Sequence, residues 1–364
     1  MMSLSQPPIP SLSLDGFRDG ASHWRKIKKD RVILPTSPDQ PAYAPTQVRE
    51  IALNILLFQR ESGGWPCDFD MAAILTDTQK QAVIATQRRT DTSFDNHNIH
   101  SQLDYLARAA ALLGESPWHE AIRRGLDFVF SAELPVGGFP QSWPEPKGYF
   151  AHITFNDGVT IGNLNLLKDI AESQPHWAWL DTTRRDKARK AVARGVTCIL
   201  KCQIKQTGWC QQHDEKTFEA TTARTFELAS ICPQDTVEIL RFLMRFEKPG
   251  ISMAMAITNG AAWLTRVKLS GIRVEKIKAP LEKFEFHDTD TDVIVVQDPT
   301  APPLWARHYE IGTNRPIFSG RDAVKRYALA EIERERRTGT PWYGTWPAIF
   351  LKKDYPEWQK RPRV

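Results

Sequence analysis

One pattern recurs three times along this chain: an apolar, helix-like stretch runs into a glycine-aromatic turn. It occupies residues 54–59 followed by Gly63, Gly64, Trp65 and Pro66, then residues 126–130 followed by Gly137, Gly138, Phe139 and Pro140. It returns at residues 198–203 followed by Gly208, Trp209 and Cys210. A second repeat sits inside the first. Phe94, Asp95 and Asn96 open an apolar helical run through Ile99, Leu103 and Leu106, and Phe155, Asn156 and Asp157 open another through Ile161, Leu164 and Leu167. Both runs keep helical spacing. Each unit therefore reads as a helical hairpin, and hairpins that cannot bury their apolar faces alone must stack in a repeat architecture. N-capping accounts for an Asn or Asp ahead of a helix. It does not require a carboxylate at equivalent places in two repeats, where a closed ring of hairpins would bring helix ends together at one mouth.

The rest of the chain fits one large core. With 364 residues, 41% apolar, and no linker-like stretch between residues 45 and 350, the expectation is a single domain over 46–364 behind an extended N-terminal segment, 1–45. That segment carries Pro7, Pro8, Pro10, Pro35, Pro38, Pro41 and Pro45 and lacks periodicity. Nothing approaches the roughly 18 apolar residues of a membrane span. Met1 to Arg25 has no secretory apolar core, which leaves an intracellular protein or a trimmed precursor. The five cysteines read as core thiols, because Cys198 and Cys202 lie on one apolar helix face and no disulfide spacing is apparent. A net charge of +5 hints at an acidic partner. From about residue 284 the texture changes to short β-like runs and a Pro-punctuated segment rich in aromatics and arginines, expected to lie irregularly across the helices.

Four polar clusters carry the candidate chemistry: residues 94–100; residues 152–157; residues 211–215 with Arg224; and Arg307, Arg315, Arg321 and Asp322. Asp95, Asn156 and Asp157 offer hard oxygen donors suited to Ca²⁺. His97, His100, His152 and His213 offer a weaker zinc alternative. Arg224, Arg307, Arg315 and Arg321 would hold carboxylates bidentately, which points to a polyanionic substrate. The run Asp288, Asp290 and Asp292 reads as a solvated strand face or loop, and residues 331–337 read as a charged helix surface.

Taken in order, several stretches resemble the family 10 polysaccharide lyases, which are pectate lyases. They are Gly63 to Pro66, Asp95 with Asn96, Gly137 to Gln141, His152 to Asp157, Gln212 to Asp214 with Arg224, Trp263, Ala301 to Arg307, Tyr309 to Pro316, Gly320 to Asp322, and Trp342 to Gly344. The likeness implies a mainly α fold, an (α/α)₃ toroid of three helical hairpins with short β and irregular C-terminal segments. It implies calcium-dependent β-elimination in polygalacturonate with an arginine as base, leaving a 4,5-unsaturated galacturonate. Carried over by position, Asp95 and Asp157 resemble the calcium ligands, Asn96 and His100 fall at substrate-contacting positions, and Arg224 and Arg307 resemble carboxylate-holding arginines. Arg321 is the expected base, with Arg315 close by as the alternative. His97, Asn98, Ile99 and His100 depart from the small residues and threonines usual there. The implied partner is polygalacturonate or oligogalacturonate, met by a monomer outside the cytoplasm or in a periplasm, with no nucleic-acid or membrane partner.

Two other readings are compatible with the same residues. A toroid glycoside hydrolase would use Asp95 and Asp157 as acid and base, and would yield no unsaturated product. A non-catalytic galacturonan-binding protein would keep the scaffold with an altered site.

Overall fold

A computed structural model describes residues 10–26, 34 and 39–361. Pro7, Pro8, Pro35 and Pro38 of the N-terminal segment lie outside them. Within that segment Arg18–Lys26 is a helix, α1, with Trp24 buried, so part of it is ordered rather than extended. The helices that follow are α2 (Val48–Phe58), α3 (Asp77–Ile84), α4 (His100–Leu113), α5 (Trp118–Ala132), α6 (Val159–Ala171), α7 (Thr182–Cys202), α8 (Pro233–Leu243) and α9 (Ile251–Arg266). The chain forms two compact units. One takes the residues up to Glu133 with Gln141–Pro146 and Asp157–Ala191; the other takes Leu134–Pro140, Lys147–Asn156 and everything from Val192. In the first unit α4 packs against α2, α5 and α6; in the second α8 packs against α9. All five cysteines are free thiols, and all but Cys67 are buried. Among the described residues no helix is long and apolar enough to cross a membrane.

The three recurring turns share one set of bonds. A backbone N–H at the helix end closes the turn on a carbonyl four residues later: Arg60 on Gly64 at 2.8 Å, Leu134 on Gly138 at 2.9 Å, Ile204 on Gly208 at 3.0 Å. The aromatic that follows is wholly buried at Trp65, Phe139 and Trp209. Each such ring removes about 150–250 Å² from water, worth on the order of 4–6 kcal/mol before chain entropy is counted. Where the aromatic is Trp, its indole N–H reaches back to the preceding helix, Trp65 to Ile55 O at 2.7 Å and Trp209 to Ile199 O at 2.8 Å. Gln59 and Gln203 each bond their own turn and a carbonyl of another helix, at Ala121 and Ala256. Gly63 and Gly137 take positive φ, 96° and 82°, and a Cβ there would sit 2.3 Å from Arg124 O and 2.4 Å from Arg194 O. The third turn moves its left-handed residues to Lys205 and Gln206, which is why Thr207 is tolerated where the others have glycine.

The same bonding occurs a fourth time, without the sequence signature. Leu269 N–H closes on Leu304 O at 2.8 Å, and the indole of Trp305 donates to Leu264 O at 2.8 Å. Three residues lie between the closing pair in the other turns; here residues 270–303 do. Most of them form an antiparallel ribbon outside the core, and its strands replace the irregular segment expected there. After the two-residue strands β1 (Ile153–Thr154) and β2 (Gln212–His213), which pair with each other, the ribbon strands are β3 (Ile272–Lys283) and β4 (Asp288–Gln297). Its register runs from Ile272↔Gln297 to Lys283↔Asp288, with a shift between Lys278 and Glu282. Residues 331–337 also depart from a plain charged surface. Arg334–Gly339 is a short helix, α10, in which Glu335 and Arg336 are buried.

Candidate active site

The carboxylates of the first unit are set by the backbone. Neither Phe-Asp-Asn nor Phe-Asn-Asp caps its helix: the residues at the cap positions are Ile99 and Gly158, neither of which makes a capping bond through a side chain of its own, and the Ile99 N–H donates instead to Gln102 Oε1 at 2.5 Å. Asp95 and Asp157 instead lie in tight bends. Positive φ is taken by Asn96 at 54°, His97 at 59°, Ile99 at 72° and Asp157 at 51°. Such conformations cost of order 1–3 kcal/mol for a non-glycine residue and persist only where surrounding contacts fix them. The bends are fixed to one another, because His97 N–H donates to Asp157 O at 2.8 Å. Phe94 N–H donates to Gln141 O at 2.8 Å.

A third carboxylate joins them. Asp68 follows the first turn, with φ 65°, and its Oδ1 accepts from Asn96 Nδ2 at 2.8 Å and lies 3.1 Å from His23 Nδ1. The His23 imidazole is pushed above its ordinary value, first by the Asp68 hydrogen bond and then by the charges of Asp68, Asp95 and Asp157. One imidazole thus feels all three acids. Asp68 and His23 escaped the sequence reading; the signal available was the position of Asp68 just beyond the first Gly-Gly-Trp-Pro. Asp68, Asp95, Asp157 and Asn96 each offer a hard oxygen donor of the kind Ca²⁺ prefers, though the three carboxylates are not a group whose ligand atoms all lie within 4.8 Å of one another.

His97 Nε2 lies 3.5 Å from Asp19 and meets the His100 ring edge-on at 5.8 Å. His100 packs on the glycine face of α6, where a Cβ at Gly162 would fall 2.2 Å from its ring, and burial pushes it down to about 3. In the second unit His213 is engaged at both nitrogens, by Cys210 N–H at 3.0 Å and at Phe218 O at 2.9 Å, which removes it from any zinc set. His152, Asp214 and Glu215 bring ligand atoms within 4.8 Å of one another. Asp214 Oδ1 there already accepts from Lys216 N–H and Thr217 N–H, both at 2.8 Å, so its turn accounts for it.

The second unit gathers arginines around one ring. Phe226, 4% exposed, has the guanidinium carbons of Arg224, Arg321 and Arg336 at 4.8, 5.7 and 4.3 Å from its centroid. Arg224 clamps Glu227 through Nε and Nη2 at 2.6 and 2.5 Å. Arg321 clamps Glu335 through the same pair of nitrogens at 3.1 and 2.8 Å. Glu335 serves two masters, since Arg336 also holds both its oxygens, at 2.5 and 2.6 Å. Burial would raise the Glu335 carboxyl, but the hydrogen bonds from Arg336 and Arg321 outweigh it and hold it at about 2. The charges of Arg224 and Arg307 both act on Glu227, so Arg307 belongs to this group, and its Nε is buried without a hydrogen-bond partner. Gly320 lets Glu333 in: a Cβ there would meet the carboxylate at 2.0 Å, and Glu333 accepts from Arg321 N–H at 2.6 Å. Arg315 stacks instead on Tyr327 at 3.7 Å. Of the four sequence candidates, Arg224, Arg307 and Arg321 come together; sequence reasoning missed Phe226, Glu227, Glu335 and Arg336.

Comparison with known proteins bears on the family and the fold. The sequence pattern of the family described as Pectic acid lyase matches residues 59–351. A solved family 10 polysaccharide lyase from Cellvibrio cellulosa is similar at 25% identity and a TM-score of 0.71, over 97% of this chain and 99% of that one. An aspartate-to-alanine mutant of family 10 polysaccharide lyase from the same organism, in complex with trigalacturonic acid, is similar at 24% identity and a TM-score of 0.71, over 95% and 99%. No curated protein matches significantly. The likeness bears out the mainly α, (α/α)₃-toroid class.

Proposed function

Because this chain belongs to the pectic acid lyase family, we propose that it cleaves polygalacturonate by calcium-dependent β-elimination, with an arginine as base. The observation that carries the reading is the cluster of guanidiniums around Phe226, the equipment a polyanion requires. Elimination removes the C5 proton beside a carboxylate that is already negative. Asp95 and Asp157 would hold the calcium, with Asp68 and Asn96 beside them, and the bound ion would neutralise the substrate carboxylate and lower the cost of enolate-like charge. Arg224 and Arg307 are assigned to substrate carboxylates: Arg224 lies in the cluster around Phe226, and Arg307 Nε makes no protein bond.

The base must be an arginine that can lose its proton, against its strong ordinary preference for charge. Arg321 is the proposed base. Its carboxylate partner is shared with Arg336, and its guanidinium lies beside the Phe226 ring with those of Arg224 and Arg336. Arg224 is a second reading, favoured because Arg307 lies near its partner Glu227 and the other two guanidiniums share its ring. Residues 46–364 are taken to act as one monomeric catalytic domain. The substrate is too large to enter a cell, so its action is assigned to a secreted or periplasmic protein.

Alanine variants of Arg321 and Arg224, assayed with and without added guanidine, test the base. Loss of turnover that guanidine restores at one position, with KM little changed, names it. Loss restored at neither, with KM raised at both, would make both arginines substrate holders and overturn the arginine-base assignment.

A further inference from the structure

The ribbon inserted in the fourth turn meets the buried cluster of Phe318, Leu329, Ile332 and Trp342 through Val293, while Val274, Ile277, Leu281 and Val295 are exposed along it. Its far end is nevertheless firmly tied. His287 Nε2 meets Thr338 Oγ1 at 2.9 Å. Arg334 donates to Thr291 O at 2.9 Å and to Pro280 O at 2.8 Å, and Arg337 pairs with Asp292 at 2.8 and 2.5 Å. Every one of these anchors comes from α10, the helix that also carries Glu335. What the anchoring places is Phe286, at the ribbon tip, with its ring centroid 4.2 Å from the guanidinium carbon of Arg321.

A bidentate carboxylate fixes one edge of a planar guanidinium but leaves it free to tilt about that edge. An aromatic face against the plane removes the remaining freedom. We propose that the ribbon inserted in the fourth turn is a positioning element for Arg321, acting through Phe286 to hold the guanidinium plane while Glu335 holds its edge. The inference rests on the catalytic role assigned to Arg321. Orientation of a reacting group is where small displacements cost large factors in rate, so a largely exposed element can still be required for turnover.

The test compares Phe286→Leu, Phe286→Tyr and Arg321→Lys in the full-length enzyme on polygalacturonate. Leucine keeps apolar bulk and lacks the aromatic face; tyrosine keeps both. Phe286→Leu is expected to lower kcat by about 3- to 10-fold, with KM within about twofold, and Phe286→Tyr to restore it. Exchange of the Arg321 Nε–H with solvent, followed by NMR, is expected to quicken in the leucine variant alone. Parental kcat and exchange in Phe286→Leu, or an equal loss in the leucine and tyrosine variants, would overturn the inference. Parental kcat in Arg321→Lys would sink the role of Arg321 itself. Loss in Arg321→Lys with no effect of Phe286→Leu would sink the ribbon's role alone.

Discussion

The acidic bends of the first unit and the arginine cluster of the second are built by opposite means. Around Asp95 and Asp157 the backbone does the positioning: left-handed residues hold two bends that bond to each other through His97 N–H and Asp157 O. Neither Arg224 nor Arg321 takes a left-handed backbone, and side chains do the positioning, a buried carboxylate gripping each guanidinium by one edge and an aromatic ring lying against its face. Short acidic side chains carry their position with the chain. Long arginine side chains have many rotamers and reach a defined place only when something grips their ends.

The comparison is broken most readily at its functional centres. Arg321→Ala is expected to lower kcat by about 100- to 10,000-fold, the range of a lost general base. Asp157→Ala is expected instead to abolish calcium uptake measured by calorimetry, leaving thermal unfolding of the apo protein little changed. The backbone half of the contrast is sharpened by two glycines. Gly158 and Gly114 have similar positive φ, 73° and 69°, but a Cβ at Gly158 would lie 2.4 Å from His97 Nδ1, whereas nothing lies within 4 Å at Gly114. Gly114→Ala should cost about 1 kcal/mol in denaturant unfolding, and Gly158→Ala about 2–3 kcal/mol because His97 must move as well. Equal losses would mean that the bend does not fix its neighbour.

The side-chain half is sharpened by acid. The Glu335 carboxyl is held at about 2 against an ordinary 4.5. A depressed carboxyl stabilises the fold fully above its unfolded value and loses that contribution as pH falls from 4.5 toward 2. Glu335→Gln should therefore show a shallower fall in stability across that window than the parent; identical slopes would mean that the clamp is not what holds Arg321. The smallest effect is expected at Arg315→Ala, within about twofold in kcat, since its guanidinium rests on Tyr327 outside the cluster.

The same contrast explains what the sequence disclosed. Three glycine-aromatic turns and the carboxylates of Asp95 and Asp157 were legible because each is a short local pattern whose backbone requirement writes itself into neighbouring residues. The fourth turn was hidden, since residues 270–303 part its two halves and Leu304 stands where the others have glycine. Its ribbon was only half seen: lysines and glutamates along β3 break up the apolar signal that Val293 to Val296 shows as an unbroken run in β4. Glu335 and Arg336 looked like a solvated helix face because burial there depends on Phe226, more than a hundred residues away. Asp68 and His23 likewise acquire meaning only from their contact with Asn96. Arg315 and Arg321 were indistinguishable by spacing and are separated by the rings each one touches.

The most direct test of the account follows the ultraviolet absorbance of the unsaturated product while the full-length protein acts on polygalacturonate, in calcium and then in a calcium chelator, beside Asp157→Ala. The account predicts a steady rise in calcium that stops in the chelator, returns on adding calcium back, and is absent in Asp157→Ala under all three conditions. Chain cleavage that persists in the chelator without any rise in absorbance would contradict it, and would make Asp95 and Asp157 the acid and base of a hydrolase.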